Sequence, residues 1–176
     1  MRIKNDIRSQ QGFTFAELMI VIAIIGILSA IGIPSFLHSL PEKRLKNAAR
    51  NLYADLQKVR LLAVKENKNV IITFNTAAGT YSYNQDGVTK NVTLGDYGAV
   101  AYDCGLTDKD WRNPRVDIPL TGVTGNVTFT RLGESLNGEA DVYLQSQNDD
   151  TVCYAVNVSR FGAVKIWRYT SDTDWK

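Results

Sequence analysis

The chain has 176 residues, of which 44% are hydrophobic and 22% charged, and 20 Lys and Arg against 18 Asp and Glu give a formal charge of +2. This balance excludes a disordered acidic or basic tail and a surface built throughout for nucleic acid. One histidine, His38, excludes sites that need two imidazoles, and two cysteines are too few for a disulfide scaffold or a four-cysteine zinc site.

The first twelve residues carry Arg2, Lys4 and Arg8 against Asp6. Leu18 to Ile33 then runs for sixteen residues without a charge, and counted from Phe13 the apolar stretch is 21 residues long, interrupted by Thr14 and Glu17. At ~1.5 Å per residue such a helix matches the ~30 Å hydrocarbon layer. The basic flank predicts a cytoplasmic N-terminus and a chain that lies across the membrane after Pro34. A secretory signal peptide needs a small-residue cleavage site after the apolar run, and Ala30 to Gly32 makes a poor one. The small residue that stands out precedes the run, at Gly12.

The string GFTFAELMIVIAIIGILSAIGIP resembles the prepilin signature of type IV pilins and type II secretion pseudopilins. The resemblance implies cleavage by prepilin peptidase between Gly12 and Phe13 and N-methylation of Phe13. It further implies an assembly role for Glu17 and a helix bend at Pro34. Phe15 stands where leucine is usual. Loss of the leader leaves 17 basic and 17 acidic side chains, with eight basic and three acidic between Glu42 and Val70 and nine and thirteen from Ile71 onward.

A carboxylate in a lipid-facing helix costs about 2.5 to 3.5 kcal/mol and needs a partner or a proton. On a helix, Phe13 and Glu17 share a face, so the α-amino group created at Phe13 can meet the Glu17 carboxylate of its own or a neighbouring subunit. The family's assembly model prefers the neighbour. The bland alternative is a protonated or hydrated Glu17 near the interface. Gly26 and Ala30 have the small-x-x-x-small spacing of close helix contacts, although small residues are common in membrane helices anyway. Pro34 is expected to bend the helix and Pro41 to interrupt it again, with His38 between them as an interfacial or packing residue.

Beyond Pro41, Leu45, Ala49, Leu52, Leu56, Val59 and Ala63 recur at helical spacing, widened by Ala48 and Leu62. The opposite side carries Lys43, Lys46, Arg50, Lys58, Lys65 and Lys68 and reads as a solvated face. One long helix is predicted from about Phe13 to Asn67. From Val70 the pattern turns to short β runs at VIITF, TYSY, VTKNVTL, GAVAY, NVTFT, ADVYLQ, VCYAVNV and AVKIWRY. Turns are placed at Asp86-Gly87, Gly95-Asp96, Gly122 to Gly125, Asn148 to Asp150 and Phe161-Gly162. The predicted fold is α+β: a long N-terminal helix, membrane-spanning in its first half and amphipathic in its second, packed on antiparallel sheet in a pilin-like arrangement. The segments are a cleaved leader (1–12), a transmembrane and assembly helix (13–34), its amphipathic continuation (35–69) and a β-rich domain (70–176). The longest irregular stretch, Asp103 to Pro119, is the expected place for partner-specific contacts.

Within the prepilin group the chain resembles the GspH/FimT family of minor pilins and pseudopilins, on Val59, Arg60 and Ala63, on Phe129 with Gly133, and on Ser159 with Gly162. Some members bind DNA through a Gly-Arg-x-Arg element. The matching positions here are Gly162, Ala163, Val164 and Lys165, which lack the first cation, while Arg160 and Arg168 flank them and Tyr154, Phe161, Trp167 and Tyr169 offer rings. The balanced charge and acidic β part argue against a phosphate footprint, so DNA is not among the expected partners. Cys104 and Cys153 face an oxidising compartment, where a bond between them is permitted; two buried thiols are the alternative. Asp103, Asp108 and Asp110 lack an EF-hand pattern, and no metal or cofactor is expected. No nucleophile and base set or phosphate loop appears, which points away from an enzyme. The expected partners are the peptidase, other pilins or pseudopilins, the inner-membrane assembly platform and lipid, in either a secretion pseudopilus or a type IV pilus. The competing class is an anchored binding module that never polymerises and keeps its first twelve residues.

Overall fold

The computed structural model describes residues 13–102, 126–147 and 149–170. Two compact units divide it, Met1–Ser39 and Leu40–Lys176. The helix α1 spans Phe15–Lys65, 51 residues, and is α-helical without a break through Pro34 and Pro41. Each proline removes one backbone donor, but neither ends the helix, so the interruption expected at Pro41 is absent.

In the first unit the large apolar side chains of α1, from Leu18 and Met19 to Ile31 and Ile33, are exposed. An 18-residue window of this helix has a mean hydropathy of 2.5 and none of it is buried by the chain itself. A helix apolar on every side has no stable place in water, so this one needs lipid or other protein around it.

In the second unit Leu45, Ala48, Ala49, Leu52, Leu56, Val59, Leu62 and Ala63 are all buried, and every one belongs to the main core. These are the eight positions of the predicted stripe. The six cations opposite them are exposed.

Among the described residues eight strands follow, at the eight predicted places. Sheet one, in the order β3-β2-β1-β5, contains β1 (Val70–Asn75), β2 (Thr80–Gln85), β3 (Val88–Thr93) and β5 (Val127–Phe129). Sheet two, in the order β4-β6-β7-β8, contains β4 (Val100–Ala101), β6 (Ala140–Ser146), β7 (Asp149–Val158) and β8 (Val164–Thr170). All pairings are antiparallel. Period-2 alternation aims Val70, Ile72, Tyr81 and Tyr83 at the helix.

The β2–β3 hairpin turns on Asp86 and Gly87, both with positive φ (52° and 80°), the conformation a two-residue hairpin loop requires. Gly95-Asp96 lies in a single 3₁₀ turn, Leu94–Tyr97, rather than a hairpin turn. The turn expected over Asn148 to Asp150 is shorter, because β6 runs to Ser146 and β7 begins at Asp149. The expected turn at Gly122 to Gly125 and the stretch Asp103 to Pro119 lie outside the described residues.

Sheet two differs from a half-solvated sheet. The positions of β6, β7 and β8 that face away from the helix hold a second buried cluster, Tyr143, Cys153, Ala155 and Tyr169, with Trp167 packed on it. In the same layer Asn157 Nδ2 donates to Asp141 Oδ1 at 2.7 Å, and both residues are buried. Pairing a buried carboxylate with an amide donor offsets its desolvation.

Candidate functional site

Helix α1 begins one residue after Thr14, whose Oγ1 accepts the backbone N–H of Glu17 at 3.2 Å. Thr14 is therefore the N-cap and Glu17 the third helical residue. Phe13 precedes the cap and lies outside the helix. The expectation that Phe13 and Glu17 share a helical face is corrected here: the threonine hydroxyl ends the helix before Phe13 can join it. Both side chains are exposed. A carboxylate in the first turn also meets the positive end of the helix dipole. Gly12 lies outside the described residues.

At the other end of α1, Arg60 Nε donates to the carbonyl of Gly133 at 2.9 Å. Gly133 and Gly162 both have positive φ, 78° and 75°. A Cβ at Gly162 would stand 1.8 Å from the Gly133 oxygen. Ser135 N donates to the Arg160 carbonyl at 3.0 Å, which locks the β5–β6 connection to the β7–β8 hairpin. The sequence landmarks Arg60, Gly133 and Gly162 thus meet at one point. Their shared reason is close backbone packing that leaves no room for a side chain.

A second tie between helix and sheet centres on Asp55. Asp55 accepts the Tyr81 hydroxyl at 2.7 Å and the Tyr83 hydroxyl at 3.0 Å. Burial, together with the Asp55 charge and hydrogen bond, pushes the Tyr83 phenol up to about 12 and raises that of Tyr81 further. Burial alone raises Tyr102. A lone Asp among lysines reads as one more solvated charge, and the signal available was the tyrosine pair at i and i+2 on β2.

Arg160, Lys165 and Arg168 do not form one surface. Arg168 reaches Glu42 on α1, with Nη2 to Oε1 at 2.7 Å, and its charge works against the upward push that burial gives the Tyr154 phenol. Lys165, three residues away on the same strand, points to the opposite side and sits 5.9 Å from the centre of the Trp167 ring. Arg160 is exposed in the hairpin turn. Of the four rings, Tyr154 and Tyr169 are buried, Trp167 is half-buried, and Phe161 alone is well exposed. Strand alternation therefore divides what linear proximity suggested.

Cys153 is buried and disulfide-bonded. Cys104 lies outside the described residues, as do Asp103, Asp108 and Asp110. Among the described residues no group of three metal-ligating side chains exists. His38 is exposed.

A model of the prokaryotic N-terminal methylation motif matches residues 7–33, and a model of type II transport protein GspH matches residues 48–162. Over 54 residues the chain is 46% identical to the type IV major pilin protein PilA of Myxococcus xanthus, a match covering 31% of this chain and 24% of PilA. Over 64 residues it is 39% identical to a fimbrial protein of Pseudomonas aeruginosa, covering 36% of this chain and 41% of that protein. The chain thus spans less than half the length of these curated relatives.

Two solved structures resemble about seven-tenths of the chain. One is the type IV minor pilin FimU of Pseudomonas aeruginosa, with a TM-score of 0.50 and 16% identity over 71% of this chain and 89% of that one. The other is the minor pseudopilin EpsH from the type 2 secretion system of Vibrio cholerae, with a TM-score of 0.50 and 12% identity over 70% of this chain and 95% of that one. At such identities they speak for the fold: one long helix on antiparallel sheets, as in pilins. Because the family domain covers well over half of its residues, the chain belongs to the GspH family of type II transport proteins.

Proposed function

We propose that this chain is a minor subunit of a type II secretion pseudopilus or a type IV pilus, made as a precursor and joined to its filament through the N-terminal half of α1. The carrying observation is the methylation-motif match over residues 7–33, which falls on a helix whose apolar side chains find no cover within the chain. Prepilin peptidase cuts between Gly12 and Phe13 and the new N-terminus is methylated. In the inner membrane the N-terminus is cytoplasmic and the β domain lies on the far side. In the filament the exposed apolar helix trades lipid for neighbouring pilin helices in heterologous, open-ended contacts, with the assembly platform supplying subunits.

Glu17 then has two partners in turn. Its backbone N–H holds the Thr14 cap, and its carboxylate neutralises the terminal amine of a neighbouring subunit, a cation that cleavage creates. Pro34 marks the bend in the membrane helix. Cys104, the only other cysteine in the sequence, is the partner of Cys153. The chain acts as a structural subunit, without catalysis and without DNA.

Mass spectrometry of the protein isolated from its native membrane tests the reading. The expected mature chain starts at N-methylated Phe13; retention of the first twelve residues identifies a plain anchored module and overturns it.

A further inference from the structure

Two turns, 29 residues apart in sequence, have the same composition and the same construction. Thr130-Arg131-Leu132-Gly133 and Ser159-Arg160-Phe161-Gly162 each read hydroxyl, arginine, apolar, glycine. In each, the glycine N–H donates to the carbonyl of the first residue at 2.8 Å. In each, the first residue's N–H closes the loop at 2.8 Å, to the carbonyl of Glu134 in one and of Ala163 in the other. The hydroxyls also hold the turns, Thr130 Oγ1 accepting from Leu132 and Glu134 and Ser159 Oγ from Ala163. This is a three-residue hairpin loop closed by a left-handed glycine, used twice. The contact between Gly133 and Gly162 sets the two loops side by side.

The geometry accounts for the hydroxyl and the glycine in both loops and leaves the middle pair unexplained. Tips of tight turns favour polar residues, yet Leu132 and Phe161 stand there, each 73% exposed. Beside them on the last turns of α1 are Leu61, 67% exposed, and Val64, 49% exposed; Val64 Cγ2 lies 3.3 Å from where a Gly133 Cβ would be. Four large exposed apolar side chains therefore stand on three segments that meet at Arg60, Gly133 and Gly162. The rim around them is basic: Arg131 and Arg160 beside the tips and Lys65 beside Val64 are all exposed, and none makes an ion pair among the described residues. Glu134 is the one carboxylate in the two loops. Apolar patches with charged rims are the form of protein interfaces, and backbone locking through Arg60 and Ser135 holds this one ready before it binds. Leu61, Val64 and Leu132 have nothing to offer a phosphate or a base, which sets the patch apart from a nucleic-acid surface.

We propose that Leu61, Val64, Leu132 and Phe161 form a docking surface for a neighbouring filament subunit that presents an apolar side chain flanked by carboxylates. The two arginines confer charge complementarity, and the twin tips grip the apolar anchor. The inference rests on the filament reading above and names the face that one lateral contact uses.

A photo-crosslinking amino acid placed at Leu132 or at Phe161 of the full chain, in cells that assemble the filament, tests it. Val88, exposed but remote in the fold, is the control position. The expected product is a covalent adduct with another pilin or pseudopilin, at about tenfold the Val88 yield, falling about tenfold in the Arg131→Glu, Arg160→Glu double variant. Among the described residues neither arginine side chain makes an ion pair, and the Arg160 carbonyl that accepts Ser135 N is kept by the substitution, so leader cleavage and thermal unfolding of the variant stay unchanged. Yields equal to Val88, adducts with nucleic acid or lipid, or a product indifferent to charge reversal overturn the inference while the filament reading stands. A chain that never enters the filament overturns both.

Discussion

Gly162 lies so close to the carbonyl of Gly133 that a Cβ there would sit 1.8 Å from the oxygen, and that same oxygen accepts Arg60 Nε at 2.9 Å. Gly162→Ala therefore combines a left-handed backbone, φ 75°, with a backbone clash. Gly87 is the matched control, with φ 80° and nothing within 4 Å of an added Cβ. Gly87→Ala should cost about 1 kcal/mol from strain alone, and Gly162→Ala at least about 3 kcal/mol or the fold itself. Urea unfolding of the two variants side by side measures the difference; equal losses would show that the loops part without resistance.

The Asp55 clamp makes a pH prediction. Tyr83 has a folded phenol pKa raised from 10.0 to about 12, so the folded state holds its proton more tightly than the unfolded chain. Stability from this source is complete below pH 10 and is lost as pH rises through about 12. Tyr83→Phe should flatten that loss, and Asp55→Asn should cost about 2 kcal/mol at neutral pH by replacing a charged acceptor of two hydroxyls with a neutral one. Thermal melts between pH 8 and 12 read both effects. A wild-type Tm that falls no faster than that of Tyr83→Phe removes the clamp from the account.

Much of this architecture is legible from periodicity, and what is missed has a common form. The apolar stripe from Leu45 to Ala63 and the eight strand positions follow from spacing, because burial on one face leaves a period in the sequence. Asp141, Gln145 and Asn157 alternate with Val142, Leu144 and Val156 as a solvated face would, yet Asp141 and Asn157 are buried in a second layer. Their hydrogen bond satisfies polarity inside, which no hydropathy pattern registers. Arg168 and Asp55 read as surface charges for the same reason. The Thr14 cap follows from a hydroxyl placed three residues before Glu17 at the start of the apolar run.

Arg168 and Glu42 are each about two-fifths exposed, so their 2.7 Å pair is screened by water. A double-mutant cycle with Arg168→Ala and Glu42→Ala should give a coupling of about 0.5 kcal/mol, shrinking toward zero in 1 M salt. Tyr154, whose phenol feels the Arg168 charge, is the reason to measure the cycle rather than one variant: Arg168→Ala also removes that charge from beside a buried ring. A single-mutant loss for Arg168 larger than that for Glu42 is expected, and parity between them would mean the charge beside Tyr154 contributes nothing.

Two roles converge on Glu17, and one substitution separates them. In the precursor its backbone N–H completes a cap on Thr14 Oγ1, and that bond is kept whether glutamate or glutamine stands there. Only a carboxylate can neutralise the amine released at Phe13. Glu17→Gln should therefore leave helix formation and removal of the leader intact while stopping entry into the filament, since it would face a buried, uncompensated cation worth about 3 to 5 kcal/mol. Thr14→Ala should do the reverse, loosening the first turn by about 1 kcal/mol with assembly reduced but present. Quantifying processed chain against filament-borne chain in both variants decides the matter. If Glu17→Gln assembles at the wild-type level, the capping hydrogen bond is the whole of the residue's role, and the register of incoming subunits must be set by apolar packing along the rest of the helix.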